Sequence, residues 1–309
     1  MPAASIPFPP MEAQLVRELP VGDGWQYEPK WDGFRGVLEN VDGELKLWSR
    51  NERPLLRYFP ELEALGDVLA PGSALDGEIV IARDGALDFD AMQMRLHPAE
   101  SRVRKLSAEI PAEFVAFDVL LWEDEEVWRQ PLADRRGRVE GLDGFRRSPA
   151  TREVEDARGW LARFEALGLD GVVAKRLDAP YLPGSRDGMV KVKEHKTADC
   201  VVVGLRWKAD RREIATLLLG LYGDDGDIDY VGSCAVAAKT REEVSKRVVP
   251  LLVDAPERRF SEPNRWGTGD LEEAAIRPEL VVEVRYDKVQ GNRFRHGSRL
   301  IRWRDDKRP

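Results

Sequence analysis

The sequence predicts an α+β protein with mainly antiparallel sheets in its first part and a small closed β-barrel in its last part. Three observations support this fold class: apolar and polar residues alternate over several segments, amphipathic helical patterns lie between them, and short strands replace both near residue 196. The chain has 309 residues, which is long enough for two cores, and we expect domains at 1–196 and 197–309.

Strand patterns dominate the first domain after a proline-rich start. They occur in "GVLENVDGELKLWS", "ALDGEIVIA", "EFVAFDVLLWE", "DGVVAKR" and "MVKVK". The "VDGE" within the first of these predicts a hairpin, because Asp-Gly tolerates the positive φ angles of a tight turn. Helical patterns lie between the strands, in "FPELEALGDVL", "LADRRGRVEGL" and "DARGWLARFEALG". Short connections between several strands predict mainly antiparallel pairing.

The second domain has shorter strand patterns and a single helical pattern. Short strand patterns occur in "DCVVVGLRWK", "EIATLLLGLY", "IDYVGSCAV" and "LVVEVRYDKV", together with one helical pattern, "REEVSKRVVPLL". About five short strands and one helix suit a small closed barrel, of which the OB-fold is the commonest choice.

Charge is distributed unevenly along the chain. The net charge of −8 argues at first sight against a nucleic-acid partner. From residue 285 onward, however, nine Lys and Arg against three Asp give +6, which leaves −14 for the preceding residues. This asymmetry indicates either a surface that faces a polyanion or a solvated basic tail.

Several classes of protein are excluded by what the sequence lacks. The apolar runs are too short to span a bilayer, and the proline-broken start does not resemble a signal peptide, so we expect no membrane partner. The low cysteine count favours a reduced cytoplasmic setting, and a monomer is the default oligomeric state. Two cysteines are too few for a disulfide framework or a four-cysteine zinc site. Neither a P-loop motif nor a dinucleotide-binding glycine fingerprint is present.

One lysine stands out in the stretch "YEPKWDGFRG". Lys30 could be an ordinary solvated charge at a strand end, or an amine held in place for nucleophilic attack. Gly33 permits a tight turn close to a bulky ligand. Asp32 could orient the lysine or help to place a metal ion.

Other groupings are suggestive only when they are taken together. Glu78 stands at the start of an apolar strand, Phe117 lies within another, and Asp170 begins a third. Lys191 and Lys193 alternate with valines, so they point to one face of a strand. Each is more often structural than functional, but together they indicate a nucleophile, phosphate-binding lysines, carboxylates for sugar and metal, and an aromatic ring for a base.

In this order, the motifs resemble those of the ATP-dependent DNA ligases. Seven segments carry the resemblance: "KWDGFRG", "SRNERPLL", "DGEIVI", "AFDVL", "DGVVAK", "MVKVK" and "LIRWRDDK". The compact length and the "RFRHGSRLIRWRDDKRP" ending look most like the small bacterial end-joining ligases, ligase C and the ligase domain of ligase D. The resemblance implies an ATP-grasp-like nucleotidyltransferase (adenylation) domain followed by an OB-fold domain.

The resemblance implies a nucleotide site around Lys30. This lysine would attack the α-phosphate of ATP and carry AMP through a phosphoramide bond. Glu28 would lie near the adenine, Phe117 would stack on it, and Glu78 would hydrogen-bond the ribose. Arg35 would lie near the sugar.

Residues for phosphates, metal and DNA are also implied by the resemblance. Lys191 and Lys193 would hold the α-phosphate, and Arg50 would lie near the 5′-phosphate of the DNA. Asp170 would help to bind Mg²⁺ or Mn²⁺, although the family usually has Glu at this position. Aspartate keeps the charge but shortens the reach by one methylene.

In the OB domain, the resemblance implies a set of side chains that orient the departing pyrophosphate: Arg302, Arg304, Asp306 and Lys307. The implied partners are duplex DNA with nicks or ends, a Ku-type end-binding protein and a repair polymerase, near the bacterial nucleoid. The alternatives are an RNA ligase, a GTP-dependent RNA-capping nucleotidyltransferase, and a non-catalytic nucleic-acid-binding protein.

Overall fold

The computed structural model describes residues 6, 8–164, 166–193, 196–208, 213–253, 272–295 and 297–309. The chain divides into two units, Met1–Lys193 and Glu194–Pro309. Among the described residues, no helix combines the length and apolar character needed to cross a membrane.

The first unit contains eleven described strands and four α-helices. The strands are β1 Gln14–Leu15, β2 Trp25–Pro29, β3 Phe34–Val41, β4 Glu44–Ser49, β5 Ser73–Val80, β6 Ala82–Arg83, β7 Ala86–Leu87, β8 Glu113–Leu121, β9 Arg146–Arg147, β10 Val172–Arg176 and β11 Met189–Val192. The helices are α1 Phe89–Arg95, α2 Glu100–Glu109, α3 Leu132–Glu140 and α4 Val154–Arg163, and 3-10 turns occupy Leu56–Tyr58, Pro60–Asp67 and Val127–Arg129.

Two sheets organise this unit. One has the strand order β4-β3-β5-β8-β9, and the other has the order β1-β11-β10-β2. All neighbours in these sheets pair antiparallel except β8 with β9 and β1 with β11. The predicted mainly antiparallel pairing is confirmed.

The predicted Asp-Gly hairpin joins β3 to β4. Asp42 and Gly43 have φ angles of 52° and 91°, the two positive values that a two-residue type I′ turn requires. The turn places Val41 opposite Glu44 and fixes the register of the whole pair.

The prediction of helices was partly wrong. The segment 59–69 forms a 3-10 turn at Pro60–Asp67 instead of an α-helix, whereas α3 and α4 lie where helices were expected. Gly66 lowers the helix propensity of the segment. Glu61 is also held by tertiary contacts: its carboxylate accepts hydrogen bonds at 2.6 and 2.8 Å from Arg95, whose side chain is fully buried. Helices α1 and α2 were not predicted.

Strand β5 directs apolar side chains to the core from one face and acidic side chains to the opposite face. Leu75 and Ile79 are fully buried in the main apolar cluster of the unit. Because side chains alternate along a strand, Asp76 and Glu78 point to the opposite face.

The second unit contains a five-stranded closed barrel. The described strands of the whole unit are β12 Lys196–Trp207, β13 Ile214–Tyr222, β14 Ile228–Ala235, β15 Glu273–Ala275, β16 Val281–Tyr286, β17 Val289–Gln290, β18 Arg293–Phe294 and β19 Ser298–Trp303. Helix α5 lies at Arg241–Val248, and 3-10 turns lie at Ala238–Thr240 and Val249–Leu251. The pairing runs β12-β13-β14-β19-β16 and returns to β12. Only the β14–β19 pair of this ring is parallel. This arrangement confirms the predicted OB-fold.

Candidate functional site

A cavity of about 580 Å³ in the first unit is lined by residues of both sheets. Its volume lies within the range of small-molecule sites. Seven of the residues singled out in the sequence line it: Glu28, Lys30, Arg35, Arg50, Glu78, Phe117 and Lys191. The fold therefore brings together side chains from segments that are far apart in the sequence.

Lys30 lies just after β2, directly beside Asp170, which precedes β10. The Lys30 N–H donates to the Gly171 carbonyl at 2.9 Å, and the Asp170 N–H donates to the Lys30 carbonyl at 2.8 Å. These bonds extend the β2–β10 pairing and bring the Asp170 carboxylate to 2.5 Å from Lys30 Nζ. The side chain of Lys30 is 23% exposed, so the amine is held by a charge partner yet accessible from the cavity.

Two glycines permit this close approach of backbones. A Cβ atom on Gly33 would lie 2.0 Å from the Ile79 carbonyl oxygen. Gly171 has a φ of +123°, and a Cβ there would lie 2.1 Å from the Val192 carbonyl oxygen. No other residue fits at either position, which gives a physical reason for the glycines in "KWDG" and "DGVV".

Asp170 is shared between two lysines, since Lys193 Nζ lies 2.8 Å from the same carboxylate oxygen. Burial opposes ionisation of Asp170, but the charges of Lys30 and Lys193 outweigh it and lower its pKa. Burial also lowers the pKa of Lys191, and repulsion from Lys30 and Lys193 acts in the same direction. The cluster of Lys30, Asp170, Lys191 and Lys193 is thus cationic overall and suited to phosphate oxygens.

Phe117 and Glu28 both line the cavity, and both contact Lys175. Glu28 is 2% exposed and forms an ion pair of 2.8 Å with Lys175. The Arg35 guanidinium carbon and the Lys175 ammonium lie 4.6 and 4.7 Å from the centroid of the Phe117 ring. These cations fix the ring by cation–π attraction.

Glu78 faces the cavity from β5. Its carboxylate accepts a hydrogen bond of 3.2 Å from the Gly33 N–H. Burial in the wall of the cleft raises the pKa of Glu78 to about 7, and attraction to Lys30 and Arg35 offsets only part of this effect. A carboxyl group with this pKa is available both as hydrogen-bond donor and as acceptor near neutral pH.

Arg35 is held from behind by a buried network. It donates two hydrogen bonds of 2.5 Å to Asp76, which is fully buried. Tyr181 donates to the same carboxylate at 2.6 Å and accepts the Met11 N–H at 2.8 Å. The rotamer of Arg35 is therefore fixed before any ligand binds.

Arg50 lies at the rim of the cavity with its side chain 61% exposed. It pairs with Glu12, which also forms an ion pair of 2.9 Å with Arg186. Hydrogen bonding from Arg186 and the charges of both arginines lower the pKa of Glu12, so the carboxylate is ionised. All three residues line the cavity.

Within the described part of the chain, three predicted residues of the first unit are not among those that line the cavity: Asp32, Asp170 and Lys193. Asp32 is 7% exposed. The four C-terminal residues belong to the second unit, where Arg302 pairs with Glu283 at 2.6 Å.

Of the other three C-terminal residues, Arg304 and Lys307 contact Asp199 of β12, and Asp306 contacts Arg304. Arg304 donates to both oxygens of Asp199 at 2.7 and 2.8 Å, and Lys307 pairs with the same carboxylate. Arg304 also bonds both oxygens of Asp306, at 2.7 and 2.8 Å. Hydrogen bonds from Lys307 and Arg304 outweigh burial and lower the pKa of Asp199.

Several contributors to the site were not predicted from the sequence: Glu12, Gln26, Asp76, Lys175, Tyr181, Arg186 and Asp199. Lys175 had a detectable signal, because it lies two residues after Val173 on β10 and therefore points to the same face of the strand. Glu12 and Asp199 had none, since their partners are defined only by the tertiary fold.

Comparisons with known proteins were made with the sequence and the fold. The family model for the ATP dependent DNA ligase domain matches residues 10–193, and that for the ATP dependent DNA ligase C terminal region matches residues 210–307. The chain is 44% identical over 320 residues to DNA ligase C1 of Mycolicibacterium smegmatis, covering 98% of this chain and 91% of that protein. It is 33% identical over 291 residues to the multifunctional non-homologous end joining protein LigD of Pseudomonas aeruginosa, covering 91% of this chain and 33% of that protein.

Among solved structures, one from a structure-function analysis of Lig E DNA ligases superposes with a TM-score of 0.60 at 18% identity. The match covers 94% of this chain and 98% of that one. At this identity the likeness concerns the fold, and it supports the predicted succession of an adenylation-type domain and an OB-fold.

Proposed function

Because this chain belongs to the ATP-dependent DNA ligase family, we propose that Lys30 is the nucleophile with which it uses ATP to join DNA ends. The protein is an enzyme, and the family match favours a DNA ligase over the RNA ligase, RNA-capping and non-catalytic alternatives. The observation that carries the proposal for Lys30 is its position: an accessible amine on the wall of a nucleotide-sized cavity, among cations suited to phosphate.

The nucleotide would lie along the cavity in one orientation. Glu28 would read the adenine, Phe117 would stack on it, and Glu78 and Arg35 would contact the sugar. Lys191 and Lys193 would hold the α-phosphate beside Lys30. Support comes from the presence of Glu28, Lys30, Arg35, Glu78, Phe117 and Lys191 on the wall of one cavity, and from the ion pair that joins Lys193 to the carboxylate partner of Lys30.

The reaction would proceed in three steps at phosphorus: AMP is transferred to Lys30, then to the 5′-phosphate of the DNA, and is released when that phosphate is joined to the 3′-hydroxyl. Lys30 Nζ, after losing a proton, attacks the α-phosphorus; a P–N bond forms, the bond to the bridging oxygen breaks, and pyrophosphate leaves. The 5′-phosphate of the DNA then displaces the lysine from AMP, and the 3′-hydroxyl finally displaces AMP. Such chemistry depends on alignment and charge neutralisation, which the lysines and Arg50 would supply.

The family uses ATP together with a divalent metal ion, Mg²⁺ or Mn²⁺. Within the described residues, no cluster of three or more His, Cys, Asp or Glu is placed to hold such an ion. This fits a cation bound by one carboxylate together with substrate phosphates, as is common for Mg²⁺. Asp170 would be that ligand, and the ion would neutralise developing charge on the phosphates.

Each of the two domains would supply a separate part of this chemistry. Residues 1–196 would form the adenylation domain, and residues 197–309 the OB domain. Arg302, Arg304, Asp306 and Lys307 would orient pyrophosphate during adenylation, and the basic C-terminal stretch would contact DNA phosphates independently of sequence.

The biological setting we propose is DNA end joining in the cytoplasm, at the nucleoid, by a monomeric enzyme. A Ku-type end-binding protein and a repair polymerase would be its partners, and duplex DNA with nicks or ends its substrate. Support comes from the identity with a relative that is named a non-homologous end joining protein.

The test of Lys30 is the intact mass of the protein after incubation with a divalent cation and ATP, GTP or NAD in turn. Bound AMP is first discharged with pyrophosphate. We expect an AMP adduct from ATP alone, its absence in Lys30→Ala, and an unchanged adduct in Lys105→Ala, whose ammonium is exposed in an ion pair with Glu109. A GMP adduct would instead indicate a GTP-dependent RNA-capping nucleotidyltransferase. An adduct that still forms in Lys30→Ala would refute the role of this lysine.

A further inference from the structure

One oxygen of the Glu28 carboxylate receives two donors. Gln26 Nε2 lies 2.9 Å from Glu28 Oε1, and Lys175 Nζ lies 2.8 Å from the same atom. All three residues are buried, with exposures of 4% for Gln26, 2% for Glu28 and 8% for Lys175. Gln26 does not line the cavity, whereas Glu28 and Lys175 do.

The strand register explains why these side chains meet. Gln26 and Glu28 are two residues apart on β2, so they share a face. Lys175 on β10 lies directly opposite Gln26 and diagonally from Glu28, a distance that a long side chain spans. The lysine supplies the counter-charge that a carboxylate at this depth requires.

Neutralisation alone does not orient the carboxylate. The terminal torsion of a glutamate is broad and roughly two-fold, and an ammonium group is a compact charge that can follow either oxygen. A primary amide donates along a fixed direction, and here it donates to the oxygen that Lys175 also contacts. Gln26 therefore selects one rotation of the Glu28 carboxylate and fixes the direction of Oε2.

We propose that Gln26 is a positioning residue that sets the Glu28 carboxylate for the recognition of adenine over guanine. This rests on the proposed function, in which Glu28 lies beside the base. Adenine presents an amino group where guanine presents a carbonyl oxygen. A fixed carboxylate oxygen accepts a hydrogen bond from the amino group and repels the carbonyl, so the orientation of Glu28 determines the preference.

The test measures discrimination between the two nucleotides. Affinities for ATP and GTP are determined by titration calorimetry for the pyrophosphate-discharged wild type, Gln26→Met and Gln26→Asn without a divalent cation, so that no adduct forms. Rates of lysyl-nucleotide formation are measured in parallel with the cation present. Gln26→Met keeps the shape and removes the donor, and Gln26→Asn withdraws the amide by one methylene. We expect the ATP/GTP affinity ratio to fall about tenfold in Gln26→Met, mainly through weaker ATP binding, and to fall in the same direction in Gln26→Asn.

A matched control is available in Gln130, whose amide donates to Glu125 at 2.8 Å on the surface. Gln130→Met should leave the ratio unchanged. A general packing defect in Gln26→Met would weaken both nucleotides equally, and an unchanged ratio in both Gln26 variants would overturn the proposal. Since the affinities are measured without catalysis, an enzyme that prefers ATP but forms no adduct would refute the role of Lys30 and leave that of Gln26 standing.

Discussion

Two clusters in the molecule each place one aspartate between two cationic side chains, but the two aspartates differ in exposure. In the first unit, Asp170 lies between Lys30 and Lys193; in the second, Asp199 lies between Arg304 and Lys307. The Asp170 side chain is 10% exposed and that of Asp199 is 23% exposed. In both cases the neighbouring cations lower the pKa of the carboxyl group against the effect of burial.

The difference lies in what it costs to rearrange each cluster. Separating a buried ion pair leaves uncompensated charges in a poorly solvated place, whereas an exposed pair exchanges its partners for water at little cost. Arg304 also has a second carboxylate partner, Asp306. We infer that the Asp170 cluster fixes the geometry of Lys30, while in the Asp199 cluster Lys307, which is half exposed, exchanges its partner for water more easily.

The largest effect is expected from Asp170→Asn. The change leaves Lys30 and Lys193 without their shared counter-charge, so the two ammonium groups repel each other and the nucleophile loses its position. We expect lysyl-AMP formation to slow about 100-fold, the scale of a misplaced reacting group. Single-turnover measurement with discharged enzyme and labelled ATP provides the rate.

Asp170→Glu is the matched control for this prediction. It keeps the charge and restores the residue that the family usually has, so formation of the adduct should stay within about tenfold of the wild type. A rate for Asp170→Asn equal to that of the wild type would show that the buried cluster does not position Lys30.

Longer strands such as β3, β5 and β8 could be predicted from the sequence because a period of two requires only local information, whereas the two-residue strands β1, β6, β7 and β9 are too short to show that period. The Asp-Gly turn between β3 and β4 follows from local φ preferences. Helix α2 could not be predicted, since only Val103 of this charged segment is buried and its apolar face is narrow. The same distinction applies to the site. Residues next to glycine turns, such as Lys30, were identifiable, but the pairing of Lys30 with Asp170 depends on the register of β2 with β10.

An intermediate effect is expected from Glu78→Gln, which tests burial without an ion pair. Burial raises the pKa of Glu78 from 4.5 to about 7, so its contribution to stability is fully present below about pH 4.5 and is lost as the pH rises through about 7. The free energy of unfolding of the wild type should therefore decline relative to that of Glu78→Gln by about 3 kcal/mol across this range. Urea unfolding followed by tryptophan fluorescence measures the difference, and parallel pH profiles for the two proteins would contradict the assignment.

The smallest effect is expected from Asp199→Asn, the counterpart of Asp170→Asn in the exposed cluster. Arg304, whose side chain is 13% exposed, keeps Asp306 as a partner, and Lys307 is half exposed, so each cation retains either a carboxylate or water and the melting temperature should change by no more than about 2 °C. Formation of lysyl-AMP should slow by less than about fivefold, since only the resting orientation of the Arg304 and Lys307 side chains is lost. Calorimetry and the single-turnover assay give both numbers on the same preparation. If Asp199→Asn slowed adenylation as much as Asp170→Asn, exposure would not govern the two clusters, and the OB-fold carboxylate would have to be treated as a positioning residue of equal weight.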